Sequence, residues 1–432
     1  MTLRHVRALE CTLCGATYDP TEVVYTCPEH DGVAGILDVV YDYDEIVDRF
    51  DAPLDGRIDS QWKYRAFLPV ADDADPVTLG EGGTDLLEAP RLSAALGVET
   101  LVKNDGTNPT GCFKDRATSV AATKARELGR KVVTCASTGN AAASLAGYAA
   151  RAGLDARIFV PGDAPEGKLV QPLVYGADVL AVEGSYDEAY DLSLEVTDEY
   201  GWYNRNAAIN PFQIEGKRTV GHELAEQTRE AVPDWIVFSM GDGCTIAGCW
   251  KGFAEFHELG FVEDTPKMLG VQATGASAIH DAFHADDADE LAETVADSIE
   301  VGRPRNTLKA CRALEESGGT AVTVSDGEIL AAETLLGRLE GIYAEPAGAA
   351  PIAGIRTARE RGIVGPDETV VAVVTGTGLK DTASAREATD GVTRIEPALA
   401  EVSSRYDVGE TAVADGGEDT FPRTDGPEAG TR

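Results

Sequence analysis

Long apolar runs are missing from this chain of 432 residues. No stretch of eighteen consecutive apolar residues occurs, which argues against a membrane-spanning helix. Residues 1–7 also lack the apolar core of a secretory signal peptide. We therefore expect a cytoplasmic protein with no membrane partner.

Lysine is scarce, and acidic residues far outnumber basic ones. The chain has 37 Lys plus Arg, only eleven of them lysine, against 74 Asp plus Glu, for a formal net charge of −37. Such a surface repels nucleic acid, so we expect no nucleic-acid partner. Evenly spread acid with few lysines resembles proteins of salt-loving cells, where salt screens the self-repulsion. The alternative is an acidic mesophile protein with an acidic tail.

The eight cysteines do not form the pattern of a secreted disulfide framework. Three of them lie in the first 27 residues, where Cys11 and Cys14 make one knuckle and Cys27 and His30 make another. This spacing suits a tetrahedral zinc ion, and a closed four-ligand site would be structural because it leaves no open position. The alternative is a ribbon remnant that no longer binds metal.

One lysine stands at a junction between a turn and a helix. Lys114 follows turn signals at 108–111 and precedes an alanine-rich helical pattern at 117–128. Backbone N–H groups in the first turn of a helix disfavour an extra cation. This position favours a neutral amine nucleophile, which is the form in which lysines bind aldehyde cofactors. The alternative is a surface lysine that pairs with Asp115.

Short β-rich runs alternate with helical patterns from residue 100 to residue 215, and a second such unit begins near Trp235. This alternation predicts doubly wound, mostly parallel α/β units. Polar or glycine-rich segments follow three of the strands, at 137–140, 241–245 and 375–381. Ligands bind at the carboxyl ends of strands in open α/β sheets, so these segments are candidate binding loops.

Each loop has its own chemistry. Asn140 can bind a ligand through its amide, or it can simply cap the following helix. The segment 241–245 is Gly-Asp-Gly-Cys-Thr between a strand and a helix, a geometry that holds phosphate with backbone N–H groups. The frame of a nucleotide P-loop is missing, so the phosphate of a small cofactor fits better.

Taken together, these segments resemble the fold-type II pyridoxal-phosphate enzymes, and among them the threonine synthases. The resemblance covers about residues 79–390, and the matching segments are 108–116, 136–140, 210–219, 343–347 and 375–381. It implies an α/β fold of two doubly wound three-layer domains and a small N-terminal zinc-ribbon-like segment. The expected organisation is a ribbon at 1–33, a catalytic region at 34–395 with a smaller nested subdomain at about 110–220, and an acidic tail at 396–432. The tail is rich in Gly, Asp, Glu and Pro without an apolar period, so we expect it to be disordered.

The resemblance also implies roles for individual residues. Lys114 would hold pyridoxal 5'-phosphate as a Schiff base and shuttle protons, Asn140 would bind the ring hydroxyl, and Thr375 would meet the ring nitrogen. The cofactor phosphate would lie in the loop formed by Gly241, Asp242, Gly243, Cys244 and Thr245. Candidates for the substrate carboxylate are Thr110, Ser137 and Thr138, and Lys103 is the candidate for the substrate phosphate.

The implied reaction is γ-elimination of phosphate from O-phosphohomoserine, followed by addition of water to give threonine. Several positions depart from the family pattern, which leads one to expect Asn-Ser at Ala207 and Ala208, a basic residue at Gln213 and Asn at Asp242. A dehydratase of serine or threonine, or a β-replacement enzyme acting on an O-activated serine, therefore stays open. A non-catalytic relative that binds an amino acid or a protein partner is the alternative from another class. We expect a small amino acid as substrate and leave a homodimer open.

Overall fold

The computed structural model describes residues 3–22, 25–31, 34–207, 209–285, 291–389 and 391–406. One compact unit lies within residues 1–389 and a second lies within 390–432. The second unit contains the short helix Leu399–Ser403. Most of the tail predicted from residue 396, at 407–432, lies outside the described residues. None of the described helices is both long and apolar enough to cross a membrane.

The strands of the described residues form three sheets. In chain order they are β1 (Val6–Cys11), β2 (Thr17–Tyr18), β3 (Leu37–Tyr41), β4 (Leu86–Glu88), β5 (Glu99–Asn104), β6 (Val132–Ala136), β7 (Asp155–Pro161), β8 (Asp178–Val182), β9 (Tyr203–Asn204), β10 (Trp235–Ser239), β11 (Lys267–Ala273), β12 (Thr320–Val324) and β13 (Thr369–Val374).

The described residues also form α-helices. In chain order they are α1 (Tyr43–Arg49), α2 (Pro90–Leu96), α3 (Lys114–Glu127), α4 (Asn140–Ala152), α5 (Glu166–Val174), α6 (Tyr186–Tyr200), α7 (Pro211–Gln227), α8 (Cys244–Glu258), α9 (Ala278–His284), α10 (Thr307–Glu316), α11 (Asp326–Glu340), α12 (Pro346–Glu360), α13 (Thr382–Glu387) and α14 (Leu399–Ser403). Short 3₁₀ helices span Gln61–Phe67, Asp105–Thr107, Asp297–Ile299 and Gly378–Lys380.

The larger catalytic sheet has six strands in the order β12-β11-β10-β13-β5-β4. Every neighbouring pair is parallel except the edge pair β4 and β5. All of β10 and nearly all of β13 is buried, and both strands are apolar except for Ser239 and Thr369, as expected for central parallel strands with helices on both faces. The carboxyl ends of β10 and β13 lie side by side and deliver the loops that follow them to one edge.

The smaller sheet has four parallel strands in the order β8-β7-β6-β9. All of its strands lie between residues 132 and 204, inside the predicted nested segment. The predicted α/β class, with two α/β domains that each contain a mostly parallel sheet, is therefore confirmed. Because β6 is an interior strand, the polar segment at its carboxyl end lies over the middle of this sheet.

The ribbon forms an antiparallel sheet in the order β2-β1-β3. Its third strand pairs Leu37 with Cys11 and Val39 with Leu9, so the sheet continues past the predicted end of the segment at residue 33. The hydroxyl of Tyr41, at the end of β3, donates to Glu215 on α7 at 2.9 Å. The ribbon is thus fastened to a helix of the catalytic region.

Two glycines of α7 allow this helix to pack very closely between α3 and α8. A Cβ at Gly216 would lie 2.1 Å from the carbonyl oxygen of Arg116, and one at Gly221 would lie 2.2 Å from that of Cys249. Any larger side chain would force the helices apart. This packing fixes α3, which begins at Lys114, and α8, which begins at the glycine loop, against a common neighbour.

Candidate active site

Lys114 is the first residue of α3 and is held beside the end of β13. The preceding residue, Phe113, donates its backbone N–H to the carbonyl oxygen of Thr375 at 2.8 Å. Thr377 in turn donates its N–H to the carbonyl oxygen of Gly111 at 3.0 Å. Gly111 has φ +84°, a value that favours glycine. These bonds bring Lys114 and Thr375 together as predicted.

The amine of Lys114 is half-buried and forms no hydrogen bond or ion pair with any residue in the part of the chain that the structure describes. Asp115 is not its partner. The Asp115 carboxylate instead accepts bonds from the backbone N–H and the hydroxyl of Thr110, and burial raises the pKa of this carboxyl to about 6. The alternative of a surface lysine paired with Asp115 is therefore wrong, and the amine is left for another partner.

Asn140 is the first residue of α4, and its side chain faces a carboxylate rather than the helix. Its amide nitrogen donates to both oxygens of Glu345, at 2.7 and 3.0 Å. Glu345 precedes α12, and its backbone N–H donates to the carbonyl oxygen of Gly376 at 3.0 Å. Burial raises the pKa of Glu345 to about 7. Asn140 does not cap its helix, and the structure brings it next to the loop after β13.

Glu345 was missed as a site residue by sequence reasoning. Its segment, 343–347, was one of those that carried the family resemblance, but nothing in that pattern assigns the carboxylate a partner. The contact with Asn140 joins residues 205 positions apart in the chain and is visible only in the fold.

The glycine loop after β10 leads directly into α8. Gly243 has φ +84° and is the N-cap of α8, and no side chain caps the helix there. Its first backbone N–H groups therefore lack a side-chain acceptor, which is the arrangement that binds phosphate. The carboxylate of Asp242 accepts the backbone N–H of Arg305 at 2.8 Å. This bond holds the Asp242 carboxylate against the backbone at residue 305. The carboxylate therefore has a partner of its own, and Asp242 is compatible with a phosphate at the N-terminus of α8.

The structure does not support Lys103 as a ligand of the substrate phosphate. Its side chain is fully buried, and its ammonium donates to the carbonyl oxygen of Thr84, to Glu223 and to Gln227, at 2.7, 2.8 and 2.8 Å. These three bonds use all of its donors. Lys103 therefore has none left for a ligand.

Thr110 is also a poor candidate for the substrate carboxylate. Its hydroxyl and its backbone N–H both donate to Asp115, so neither is free for a second acceptor. Ser137 and Thr138 differ, because both are half-buried at the carboxyl end of β6 beside the start of α4. These two residues keep their predicted role as a proposal.

A cavity of about 380 Å³ opens beside these groups, and Asn140, Ser298, Glu345 and Lys380 line it. A larger cavity of about 440 Å³ lies at the ribbon and is lined by Cys11, Asp38 and Lys251. None of the predicted cofactor residues borders the larger cavity, so the smaller one is the candidate entrance for substrate.

Comparison with known proteins agrees with this geometry. A sequence model of the pyridoxal-phosphate dependent enzyme family matches residues 77–376. This chain belongs to that family. Among curated members, the threonine synthase of Methanocaldococcus jannaschii is 43% identical over 393 residues, which are 89% of this chain and 96% of the relative. The threonine synthase of Methanosarcina acetivorans is 46% identical over 379 residues, 86% of this chain and 92% of the relative.

Solved structures of pyridoxal-phosphate dependent enzymes share the fold. The processed form of threonine deaminase isoform 2 from Solanum lycopersicum has a TM-score of 0.61 at 24% identity, and the match covers 71% of this chain and 83% of that one. Diaminopropionate ammonia lyase from Escherichia coli has a TM-score of 0.62 at 18% identity, covering 72% and 88% of the two chains. At these identities the likeness establishes the fold alone.

The residues of this site fit the cofactor of the family. The unpartnered amine of Lys114 can bind an aldehyde. The N-terminus of α8, which no side chain caps, can bind a phosphate. The hydroxyl of Thr375, at the end of β13, can meet a ring nitrogen. The site also contains the carboxylate of Glu345, which is close to Lys114 and bound to Asn140. The sequence analysis predicted no role for this titratable group.

The ribbon residues also fit their predicted metal. The ligand atoms of Cys11, Cys14, Cys27 and His30 all lie within 4.8 Å of one another. Nε2 of His30 is buried without a hydrogen-bond partner, which a metal ion would supply. The donor set is that of a structural zinc site.

Replacement Glu345→Gln is expected to stabilise the cofactor-free protein at high pH only. The pKa of Glu345 rises from an ordinary value of 4.5 to about 7 on burial, so folding takes up a proton between these two pH values. The free energy of unfolding therefore falls as pH rises through this window. We expect the advantage of the variant over the unmodified protein to be about 2–3 kcal/mol larger at pH 8 than at pH 5.

Urea unfolding at the two pH values measures this difference. The control is Glu360→Gln at the exposed end of the same helix, which should change stability equally at pH 5 and pH 8. An equal effect of Glu345→Gln at both pH values would show that its carboxyl does not titrate in the folded protein over this range.

Proposed function

We propose that this protein is a threonine synthase that converts O-phosphohomoserine and water into L-threonine and phosphate. The observation that carries the proposal is the 43–46% identity to archaeal threonine synthases over more than nine-tenths of their length. Within that match, Lys114 presents an unpartnered amine next to Thr375, and Asn140 is bonded to Glu345 beside the loop that follows Thr375. The non-catalytic alternative would not require this set of groups to be kept together.

Pyridoxal 5'-phosphate, when bound, supplies the electron sink for the reaction. Lys114 would hold its aldehyde carbon, Asn140 its ring hydroxyl, the backbone of residues 241–245 its phosphate, and Thr375 its ring nitrogen. A carboxylate at position 375 would favour protonation of the ring nitrogen, whereas the neutral hydroxyl of Thr375 does not. The residue at this position therefore influences how strongly the ring withdraws electrons.

The protein's own groups bind the substrate and move its protons. Ser137 and Thr138, at the start of α4, would bind the substrate carboxylate with their hydroxyls and with the N-terminal N–H groups of the helix. Lys114 would remove the proton from the α carbon and then one from the β carbon, since a single amine next to both atoms can serve twice. The Cγ–O bond then breaks and phosphate leaves. The γ carbon gains a proton and becomes the methyl group, water adds its hydroxyl at the β carbon, and a proton returns to the α carbon.

The dehydratase alternative receives less support. The threonine deaminases and serine racemases among the structural matches are 22–27% identical to this chain, well below the curated threonine synthases. The departures at Ala207, Ala208, Gln213 and Asp242 were the reason to keep that alternative open. The region around Gln213 has other groups that can bind phosphate, as described below.

A product assay in concentrated potassium chloride tests the proposal. The protein is supplied with pyridoxal phosphate and O-phosphohomoserine, and both phosphate and threonine are measured. Equal amounts of phosphate and threonine, absent with Lys114→Ala, are the expected result. Release of ammonia and a 2-oxo acid from serine or threonine, with no phosphate from O-phosphohomoserine, would instead identify a dehydratase.

We also propose that the ribbon binds one structural zinc ion through Cys11, Cys14, Cys27 and His30. Removal of the metal with a chelator is expected to lower the melting temperature by at least about 5 °C, because the site ties residues at the two ends of the ribbon together. The visible absorbance of bound cofactor should persist, since Lys114 belongs to another part of the fold.

Metal analysis of two variants distinguishes this site from adventitious binding. Cys14→Ser should lose the zinc, and Cys311→Ser, at a cysteine outside the ribbon, should keep one zinc per chain. Protein that contains no zinc when prepared in its presence would disprove the site. The cytoplasmic location, the adaptation to salt and the homodimer stay predictions.

A further inference from the structure

Two buried cations near the glycine loop have no carboxylate partner. Lys217 on α7 is 2% exposed and forms no hydrogen bond or ion pair with any described residue. Arg205, which follows β9, is 1% exposed, and its guanidinium donates only to the hydroxyl of Thr118, at 3.2 Å from both Nε and Nη2. Neither cation is neutralised by the protein.

Other buried cations of the same region are all paired. Lys103 contacts Glu223, Arg116 contacts Asp105 and Glu223, and Arg218 contacts Glu215 and Glu255. Burying an unpaired charge is costly, so a protein that pairs some cations and leaves two without an anion is built to receive one.

Both cations interact electrostatically with Cys244, the first residue of α8. The charge of Lys217 also interacts with those of Lys114, Arg205 and Asp242, and burial lowers the pKa of Lys217 to about 8. Helix α7 passes close to α8 here, since a Cβ at Gly248 would lie 3.1 Å from Cβ of Lys217. The lysine therefore packs against α8, within electrostatic range of the amine of Lys114.

Gln213 adds a neutral group to the same face. It lies one helical turn before Lys217 on α7, a spacing that places both side chains on one side of the helix. Its amide nitrogen and oxygen are both buried without a partner among the described residues. Ala207 packs against Ile214 and Cys244 and offers only a methyl group, and Ala208 lies outside the described residues.

We propose that Lys217 and Arg205, assisted by the amide of Gln213, bind the phosphate group of the phosphorylated amino-acid substrate. This proposal rests on the proposed function and names the residues that select its substrate. Charge balance indicates that this phosphate is not the phosphate of the cofactor. The N-terminus of α8, which no side chain caps, can bind the cofactor phosphate through its backbone N–H groups. The two cations can then balance a second phosphate of about −2 charge, that of the substrate.

Equilibrium binding to the cofactor-loaded protein tests the site without turnover. The probes are inorganic phosphate and a phosphonate analogue of the substrate whose P–C bond cannot be eliminated. Lys217→Met is expected to weaken binding of the phosphonate about 10- to 100-fold, the loss of one charge-assisted hydrogen bond. The dissociation constant of pyridoxal phosphate should stay within about twofold. Lys217→Arg should retain most of the phosphonate affinity.

A second change tests the geometry. In the Lys217→Met background, Gln213→Arg places a cation one turn away on the same face and is expected to recover at least part of the phosphonate binding. Lys124→Met removes a buried lysine that is paired with Glu127 and controls for the general effect of such a replacement. It should leave phosphonate binding unchanged.

Two results would overturn the assignment. Weaker binding of pyridoxal phosphate with unchanged phosphonate binding would mean that the cations serve the cofactor phosphate. Unchanged binding of both would place the substrate phosphate elsewhere. Failure of the proposed function looks different: phosphate and phosphonate would still bind through Lys217, but no threonine would form.

Discussion

Replacement Lys114→Ala is expected to remove the visible absorbance band of bound cofactor and to lower kcat/KM by at least about 10³-fold. The variant loses both the amine that holds the cofactor and the group that moves two substrate protons, and a single positioned acid–base group alone contributes about 10²–10⁴-fold. The spectrum of protein mixed with pyridoxal phosphate and the rate of phosphate release measure the two effects separately.

Lys168 provides a control for this change. It lines the cavity beside Asn140 and Glu345 but pairs with Asp297, so Lys168→Ala should keep the absorbance band. If Lys114→Ala kept the band and Lys168→Ala lost it, Lys114 would not be the residue that binds the cofactor. Folding of both variants is checked by their far-ultraviolet circular dichroism.

Replacement Arg116→Met is expected to cost about 3–5 kcal/mol of unfolding free energy. The guanidinium is fully buried and bonds to Asp105 at 2.6 and 3.0 Å and to Glu223 at 2.6 and 2.8 Å. Removing one partner of a buried ion pair leaves uncompensated charge behind, which is far more costly than losing a surface pair. Both carboxylates would lose a cation at once, although Lys103 still contacts Glu223.

Urea unfolding of the two proteins measures this loss. The matched control is Arg57→Met, whose partner Asp59 and whose own side chain are both exposed, and which should cost less than about 1 kcal/mol. A loss below 1 kcal/mol for Arg116→Met would show that the network adds little to stability. Because Arg116 lies two positions after Lys114 in α3, the variant should also bind the cofactor more weakly.

The sequence located the residues whose position follows from the strand and helix pattern. Thr375 and the loop 241–245 follow neighbouring parallel strands of the larger sheet, which brings them to one edge of that sheet. Lys114 and Asn140 each begin a helix, and Asn140 follows a strand of the smaller sheet. The local pattern therefore indicated which end of each element carries the site, but not how the two sheets approach each other. The same logic predicted the two α/β units.

Partners that come from distant segments were not accessible in this way. Lys103 follows the pattern of a strand near the site, but its amine is used by Glu223 and Gln227, which are more than a hundred residues away. The ribbon ends later than predicted because β3 returns to pair with β1. Each of these outcomes depends on a tertiary contact that no local spacing encodes.

The altered segment around Gln213 illustrates both cases. The missing basic side chain at 213 can be read from the sequence and raised doubt about a phosphorylated substrate. The unpaired state of Lys217 and Arg205 cannot be predicted from the sequence, because it depends on the tertiary structure placing no carboxylate within bonding distance of either cation among the described residues. Phosphate binding by these two cations would resolve the apparent conflict.

Oxygen labelling tests the central claim most directly. The protein, loaded with pyridoxal phosphate, converts O-phosphohomoserine in water enriched in oxygen-18, and the products are analysed by mass spectrometry. Elimination at the Cγ–O bond followed by addition of water at the β carbon predicts one labelled oxygen in threonine and none in phosphate. Label in the phosphate, with homoserine as the other product, would contradict the account, because it would show simple hydrolysis of the phosphate ester.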